Sequence, residues 1–375
     1  MVTPTASELR AEFLLDPSVT FLNHGSSGAR PRPVVNAHQD WQRLLEADPV
    51  DFVERKLPDL LDSVRARLAD YVGSPPSDLA LIQNATTGIN IAARSLDLRR
   101  GDEILTTSLE YGACEMAWQW ACARAGARFV RVDVPLPVDD VVDRLFAHKT
   151  ARTKAVFVSH VTSATALRLP VEAIVLAART EGLITIVDGA HATAQLGLDL
   201  HSLGADFYAG SCHKWLCAPR GTGFLYVRPE HQIRVDGATV NWGYEPPASF
   251  VSRLEEQGTR DVAAPLGVLA AIKFQEDRNW DAVRERCYAG AIEARARLCN
   301  LLGTEPIASP EMLLQMATVR LPAAIPDFGT RLFAEHKIEV NVVDDLLRVS
   351  IAPYTTDDDV EHFLQVLPGA LRRAR

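Results

Sequence analysis

Two residues with reactive side chains, Asp188 and Lys214, each follow a short apolar run of the sequence. Asp188 ends the β-branched run 183–187, which is typical of a buried strand in a parallel sheet. Lys214 follows a second strand-like run, 207–209, and its sequence neighbours are Cys, His, Trp and Leu, so it does not belong to a solvated face. A desolvated lysine loses its proton more easily, and its free amine forms Schiff bases. The pattern predicts amine chemistry at the edge of a sheet.

The pairing of this lysine with Asp188 indicates a particular cofactor. Open α/β sheets bind ligands at the carboxyl ends of their strands. The 26 positions between the two residues are enough for one crossover and a return strand. A carboxylate suits a protonated pyridine nitrogen, and an amine suits an aldehyde. The pair therefore predicts pyridoxal 5'-phosphate (PLP), attached to Lys214.

The segment 84–88 has the features of a phosphate-binding turn. It follows the strand-like run 79–82 and opens a helical pattern over 90–96. The free N–H groups and the dipole of a helix start favour an anion. A simple N-cap needs only one hydroxyl residue, whereas Thr86 and Thr87 stand together here. Both are predicted to bind the phosphate.

Composition limits the remaining classes of function. The chain has 375 residues, which favours two domains, and a net charge of −9 without a basic cluster, which argues against nucleic acid binding. It has neither a signal-like amino terminus nor a long apolar run, so we expect a cytoplasmic protein that does not enter a membrane. The six cysteines form no C-x-x-C pair and are predicted to be reduced, buried thiols that bind no metal.

Several motifs together resemble the class V aminotransferase family, in its isopenicillin-N-epimerase-like branch. In the expected order over 21–354 they are FLNHGSSGARPRPV, QNATTG, LEYGA, SHVTS, VDGAHA, GSCHKWLCAPRGTGFLYV, EEQGTRD and LRVSIAPY. The resemblance implies an α/β protein of fold type I, with a mainly parallel sheet between helices and a small α+β C-terminal domain. The boundaries that we expect are an N-terminal segment 1–20 packing with the small domain, a large PLP-binding domain 21–259 and the small domain 260–375.

The resemblance also implies the cofactor contacts. Besides Lys214 and Asp188, the implied contacts are Tyr111 stacking on the ring with a catalytic role, His191 at the phenolic oxygen, Ser211 and His213 as further phosphate ligands, and Ser163. In this superfamily the Gly-Thr pair containing Thr259 reaches the phosphate of a neighbouring subunit. The protein is therefore expected to be a homodimer with shared active sites.

For the substrate, the resemblance implies that Arg348 binds the α-carboxylate of an amino acid, a task that suits the guanidinium fork. Asn23 and His24, in a polar and glycine-rich turn, are expected to line the substrate mouth. One departure from the family pattern is Ala166, which stands where a glycine is common.

The sequence leaves the reaction open. We favour cleavage at Cα or Cβ of a modified cysteine in secondary metabolism, either as a C–S lyase or with loss of carbon dioxide or ammonia. The alternatives are an amino acid epimerase and an aminotransferase. A cysteine desulfurase is disfavoured because Cys287 and Cys299 fall in helical patterns rather than on a mobile loop, although thiol catalysis by Cys212 or Cys217 stays open. The alternative outside enzymology is a PLP-fold protein that has become an inactive binding partner.

Overall fold

The computed structural model describes residues 3–374. Its helices are α1 (Ala6–Glu12), α2 (His24–Ser27), α3 (Arg32–Ala47), α4 (Pro49–Asp51), α5 (Leu57–Val72), α6 (Ala85–Ser95), α7 (Gly112–Ala125), α8 (Val141–Ala147), α9 (Val171–Thr180), α10 (Leu200–Leu203), α11 (Pro229–Gln232), α12 (Phe250–Glu255), α13 (Ala263–Leu266), α14 (Val268–Glu276), α15 (Trp280–Leu302), α16 (Phe328–His336) and α17 (Asp357–Ala374). In the described range no helix is long and apolar enough to cross a membrane.

The strands form one large sheet and two smaller ones. They are β1 (Thr20–Phe21), β2 (Leu79–Ile82), β3 (Glu103–Thr107), β4 (Arg128–Val132), β5 (Thr153–Ser159), β6 (Ile184–Gly189), β7 (Phe207–Ser211), β8 (Gly223–Val227), β9 (Met316–Arg320), β10 (Ile338–Glu339), β11 (Asn341–Val343) and β12 (Leu346–Ser350). The large sheet has the order β2-β8-β7-β6-β5-β3-β4, and only β8 runs antiparallel to its neighbours. The predicted α/β class with a mainly parallel sheet is confirmed.

Helices cover both faces of the large sheet, which explains why its strands are apolar almost throughout. Along β5 the side chains alternate between two buried clusters, with Val156 and Val158 in one and Ala155 and Phe157 in the other. Helices α6 and α7 pack in the second cluster, and α9 packs in the first. Because both faces of the sheet are packed, a polar residue at the end of such a strand has a fixed position.

The parallel strands of the large sheet end at one common edge. Ser159 at the end of β5 lies opposite Asp188 of β6, and Asp188 in turn lies opposite Ala209 of β7. This edge is where the sequence predicted a ligand. Strand β8 enters the sheet at the same edge, with Gly223 opposite Ser211.

The C-terminal part of the chain places a second sheet beside this edge. Strands β11, β12 and β9 form an antiparallel sheet, and β1 pairs in parallel with β10. The N-terminal segment also contacts α17, since Arg10 Nη1 lies 3.2 Å from Asp359 Oδ2. The division into domains at residues 20 and 259 stays a prediction.

Three elements differ in extent from their patterns. The sequence pattern predicts one helix over 265–280 and one strand over 338–343, whereas the structure breaks the first into α13, α14 and the start of α15 and divides the second between β10 and β11. The pattern also predicts a final helix over 357–367, ending before Pro368, yet α17 continues to Ala374. Its apolar face explains the continuation, because Ala370 beyond the proline is still buried against the core.

Candidate active site

The common strand edge opens into a cavity of about 620 Å³. It is lined by Gly25, Ser26, Asn84, Ala85, Thr86, Thr87, Tyr111, Ala113, Ser159, Val161, Ser163, Asp188, Ala190, His191, Ser211, His213, Lys214, Asn341 and Arg348. Ten of the predicted site residues are thus brought together from positions up to 262 apart in the chain.

Lys214 lies in the turn after β7 with its amine directed at His191. The distance between Lys214 Nζ and His191 Nε2 is 3.0 Å, and Trp215 Nε1 donates to His191 Nδ1 at 3.4 Å. If Nδ1 accepts, the neutral imidazole carries its hydrogen on Nε2, which only an uncharged amine can accept. Burial lowers the pKa of Lys214 to about 8, although the charge of Asp188 opposes this change. The site therefore favours a reactive, neutral amine.

The backbone of the lysine turn is held from below by the glycine-rich turn near the N-terminus. Gly28 adopts φ +68°, and a Cβ there would lie 2.1 Å from the carbonyl oxygen of His213. His24 Nε2 lies 3.0 Å from the carbonyl oxygen of Lys214, and His24 Nδ1 lies 2.8 Å from the hydroxyl of Tyr354. Burial lowers the pKa of His24 to about 4, so the ring is neutral at pH 7.

Asp188 stands at the centre of the cavity floor. The amide of Ala190 donates to its Oδ1 at 2.9 Å, and the thiol of Cys114 donates to its Oδ2 at 3.4 Å. Burial raises the pKa of this carboxyl, while the hydrogen bonds and the charge of Lys214 act in the opposite direction. A cationic N–H in the cavity would stabilise the carboxylate further.

The start of α6 forms one end of the cavity. Asn84 caps this helix by accepting from the amide of Thr87 at 2.9 Å, and Ser211 Oγ accepts from the amide of Ala85 at 3.1 Å. Within the described residues, the amide and the hydroxyl of Thr86 donate no hydrogen bond, so both are available to an anion.

His213, at the same end of the cavity, needs a second proton to serve as a phosphate donor. Its Nδ1 lies 3.2 Å from the carbonyl oxygen of Thr222, which places the hydrogen of the neutral ring on Nδ1. A donor at Nε2 therefore exists only in the imidazolium form, whereas burial lowers the pKa of this ring. A bound phosphate dianion would favour the protonated form.

Arg348 brings an unpaired cation to the other side of the cavity. The side chain is only 2% exposed, and burial lowers its pKa to about 10. Its Nη1 donates to the carbonyl oxygen of Ser163 at 2.6 Å, and its Nη2 lies 3.2 Å from Ser26 Oγ. In the described part of the chain no carboxylate pairs with it and its Nε has no partner. One edge of the guanidinium is therefore free for a ligand carboxylate.

Three other predicted residues lie outside the wall of the cavity. His24 is completely buried beneath the lysine turn, and Asn23 lies behind Arg348, with its Oδ1 3.5 Å from Nη2. Thr259 is exposed on the surface of the chain. Tyr111, by contrast, is at the cavity mouth, with 46% of its surface exposed.

The structure also adds residues that the sequence analysis missed. They are Glu110 behind Ser159, Cys114 beneath Asp188, and Asn341 in β11. The position of Glu110 in the LEYGA motif, directly before Tyr111, was the only sequence signal for any of them.

Ala166, the departure from the family pattern, has φ +57° in the turn after β5. This left-handed conformation is the physical reason for a glycine there, since a Cβ costs about 1 kcal/mol in it. Ala166 itself does not line the cavity, although Val161 and Ser163 of the same turn do.

The residues present fit PLP. An anion-binding helix start, a buried carboxylate and a lysine amine line one cavity, which matches the phosphate, ring nitrogen and aldehyde of the cofactor. Asp206, Glu230 and His231 form a separate group with the spacing of metal ligands. Arg228 already neutralises it, pairing with Asp206 at 3.3 Å and with Glu230 at 2.5 Å.

A lysine and an aspartate at the edge of this mixed sheet, beside a phosphate-binding helix start, define a PLP-dependent enzyme of fold type I. The family model described as aminotransferase class-V matches residues 20–363, so the chain belongs to the class V aminotransferase family. The expectation drawn from the motifs is confirmed.

Three relatives illustrate the range of this family. The isopenicillin N epimerase of Amycolatopsis lactamdurans is 38% identical, with 98% of this chain and 99% of that protein covered. The putative L-cysteine desulfhydrase 1 of Oryza sativa subsp. japonica is 31% identical, with 86% of this chain and 71% of that protein covered. The solved structure of a cystine C–S lyase in complex with its product cysteine persulfide is similar with a TM-score of 0.85 and 25% identity, over 94% of this chain and 97% of that one.

Proposed function

We propose that the protein is a PLP-dependent C–S lyase that cleaves an S-substituted cysteine. The observation that carries the proposal is the buried Arg348, which lies in the same cavity as Lys214 and has, within residues 3–374, a free Nε and no carboxylate partner. An unpaired buried cation is unfavourable unless a ligand supplies the opposite charge. The α-carboxylate of an amino acid is the ligand that this pairing of arginine and amine suits.

When bound, PLP withdraws electrons from a bond broken at the Cα of an amino acid. The remaining roles belong to the chain itself. Lys214 would attach the cofactor and then move the proton at Cα, a task for which a pKa of about 8 is suitable. Asp188 would hold the ring nitrogen, and His191 would orient the lysine amine and contact the phenolic oxygen.

Phosphate binding would fall to the end of the cavity formed by α6 and β7. Thr86, Thr87, Ser211 and His213 supply its side-chain hydroxyls and its imidazole. Ser163 and Asn23 would act indirectly, because the first offers a carbonyl to Arg348 and the second lies beside the same guanidinium. His24 would hold the lysine turn rather than touch the substrate, since it is fully buried.

Elimination is preferred because it requires only one base, and Lys214 in the cavity can serve as that base. A desulfurase needs a reactive thiolate, yet burial raises the pKa of Cys212 and of Cys217 to about 12. The two remaining thiols of the C-terminal half, Cys287 and Cys299, are buried in α15. The similarity to a cystine lyase and to a cysteine desulfhydrase supports the same class of reaction.

A second cavity supports a substrate with an extended substituent. Its volume is about 650 Å³, and it shares Asn341 with the first cavity while Asn23 lines it beside Arg348. A cysteine whose carboxylate binds Arg348 would therefore have room for a large group on sulfur.

The second candidate function is amino acid epimerisation. The similarity at 38% identity over 98% of the chain to an isopenicillin N epimerase favours it, and with it a role in antibiotic biosynthesis. Reprotonation from the opposite face needs a second acid, and Tyr111 at the cavity mouth is the side chain that we assign to it. His24 is fully buried and does not line the cavity, so it is not available for this role.

One assay separates these reactions. The PLP-loaded protein is mixed in D₂O with S-alkyl, S-aryl and S-glycosyl L-cysteines and with simple L-amino acids, while pyruvate, ammonia, carbon dioxide and Cα deuterium are measured. We expect pyruvate and ammonia from an S-substituted cysteine, and none from the Lys214→Ala variant. Deuterium exchange with racemisation and without pyruvate would establish the epimerase instead.

We also propose that the chain forms a homodimer with shared active sites. Thr259 is exposed and does not line the cavity of its own chain, which is consistent with a contact to a neighbour. Helix α7 exposes Met116 by 69% and Trp120 by 50%, an apolar surface suited to a second copy. Mixing Lys214→Ala with Thr259→Arg protomers should restore activity if sites are shared, and a monomeric mass by light scattering would exclude this arrangement.

A further inference from the structure

Glu110 is a half-buried carboxylate with an unusual set of partners. The amide and the hydroxyl of Ser159 both donate to its Oε2, at 2.7 and 2.6 Å. The hydroxyl of Thr107 donates to its Oε1 at 2.6 Å. In the described range no lysine, arginine or histidine forms an ion pair with it. Its charge is thus held by three neutral donors and has no counterion among the described residues.

The position of Ser159 connects this carboxylate to the cavity. Ser159 lines the cavity and lies opposite Asp188 in the register of β5 and β6. Glu110 follows β3, the strand on the other side of β5. It therefore lies two strands from Asp188, with β5 and Ser159 between them.

The charges around Glu110 are few and mostly negative. Asp188 faces it from β6, the thiol of Cys114 faces it from α7, and hydroxyls face it from β3 and β5. Burial, followed by the charge of Asp188, raises the pKa of Glu110 to about 7, against the effect of its hydrogen bonds. A cation bound in the adjoining cavity would stabilise both carboxylates.

We propose that Glu110 is a positioning residue whose negative charge, behind Ser159 and Asp188, favours the protonated form of the bound cofactor. The proposal rests on the assignment of Asp188 to the ring nitrogen. As an anion, Glu110 draws the Ser159 hydroxyl hydrogen toward itself and leaves a lone pair of Ser159 Oγ facing the cavity. The same anion adds a second negative charge to that of Asp188. Neither effect needs contact between Glu110 and the cofactor or substrate.

The test measures the cofactor rather than catalysis. The visible absorbance of the PLP-loaded protein is titrated with pH in the wild type and in Glu110→Gln, which keeps the shape and removes the charge. We expect the midpoint to fall by about one pH unit, which corresponds to a tenfold weaker preference for the protonated form. The dissociation constant of PLP, measured by titrating the apoprotein at pH 8, should rise.

Three further variants separate charge from shape. Glu110→Asp retains the charge and should restore most of the midpoint. Glu115→Gln removes a carboxylate of α7, the helix that begins shortly after Glu110; Glu115 pairs with Arg131 at 2.7 Å, and its loss should leave the midpoint unchanged. Ser159→Ala removes the hydroxyl that Glu110 polarises and one donor to the carboxylate, so it should lower the midpoint in the same direction as Glu110→Gln but by less.

The proposal is overturned if Glu110→Gln has the midpoint of the wild type. Should that variant fail to fold, Thr107→Val takes its place, because loss of a donor makes Glu110 less acidic and should lower the midpoint in the same direction. An unchanged midpoint in Thr107→Val would then overturn it. These results need no substrate, so they stand apart from the assay for the lyase.

Discussion

Replacement of Arg348 by methionine should abolish substrate recognition while it leaves the fold intact. Burial lowers the pKa of this side chain to about 10. When folding lowers the pKa of a base, the charged form of that base destabilises the folded state. For Arg348 this applies at every pH below about 10. Against the ordinary pKa of about 12.5, the cost at pH 7 is about 3 kcal/mol.

The hydrogen bonds of Arg348 offset most of that cost. They reach the carbonyl oxygen of Ser163, the hydroxyl of Ser26 and, at 3.5 Å, the side chain of Asn23. At about 1 kcal/mol each they contribute about 2–3 kcal/mol. The two contributions nearly cancel, so Arg348→Met should change the free energy of unfolding by less than about 1 kcal/mol.

The effect on activity should be much larger. A carboxylate at the free Nε edge would form two charge-assisted hydrogen bonds, at about 1.5–3 kcal/mol each. Their loss predicts a fall in kcat/KM of about 10² to 10⁴. The preference for an amino acid over the corresponding amine, which lacks the carboxylate, should fall by the same factor.

Urea unfolding and steady-state kinetics on the best S-substituted cysteine measure both effects. Arg295→Met is the matched control, because Arg295 is also buried and also donates to a backbone carbonyl, that of Ala308 at 2.7 Å, but lies outside the cavity. It should leave kcat/KM unchanged. The reasoning is refuted if Arg348→Met loses less than about threefold in kcat/KM, or if it keeps the preference for the carboxylate.

Four shorter predictions follow from the same geometry. Lys214→Ala should lose covalent attachment of PLP, read by mass spectrometry after borohydride reduction, and at least about 10³ in activity; retention of the reduced adduct would locate the attachment elsewhere. Because the pKa of His24 is lowered to about 4, the unfolded chain binds a proton more readily between pH 6.5 and 4. Stability should therefore fall as the pH drops through that window, and His24→Gln should flatten the slope by about 1.4 kcal/mol per pH unit in urea titrations. An unchanged slope would mean that His24 protonates in the folded state. Cys212→Ala and Cys217→Ala should keep lyase activity, and iodoacetamide at pH 8 should not label these thiols in the folded protein, since burial raises their pKa to about 12; inactivation by labelling would revive a catalytic thiol. Ala166→Gly should raise the free energy of unfolding by about 0.5–1 kcal/mol, because the residue has φ +57°, and a decrease would show that its methyl group matters more than its backbone.

The sequence alone was sufficient to predict the cofactor, and the main residues that it predicts to hold the cofactor line one cavity. Asp188 and Lys214 follow apolar runs that are buried by their composition, and parallel strands end at a common edge whatever the loops between them do. The same reasoning located Thr86 and Thr87, because a helix start binds anions through its own backbone. Local patterns determine these features, so they are visible without the fold.

The tertiary structure decided what the residues far apart in the chain do for one another. The sequence predicts that His24 contacts the substrate. In the structure it lies under the lysine turn, and its ring is hydrogen-bonded to the carbonyl oxygen of Lys214, 190 positions away. Among the residues that the structure describes, Arg348 has no carboxylate partner; this depends on every element packed around it, and no pattern in the strand 346–350 reveals it. Glu110 acquired its place behind Asp188 only through the sheet order, which sets β5 between β3 and β6. The burial of a side chain and its hydrogen-bond or ion-pair partners are properties of the packed molecule, because they depend on contacts between segments that are not neighbours in the sequence.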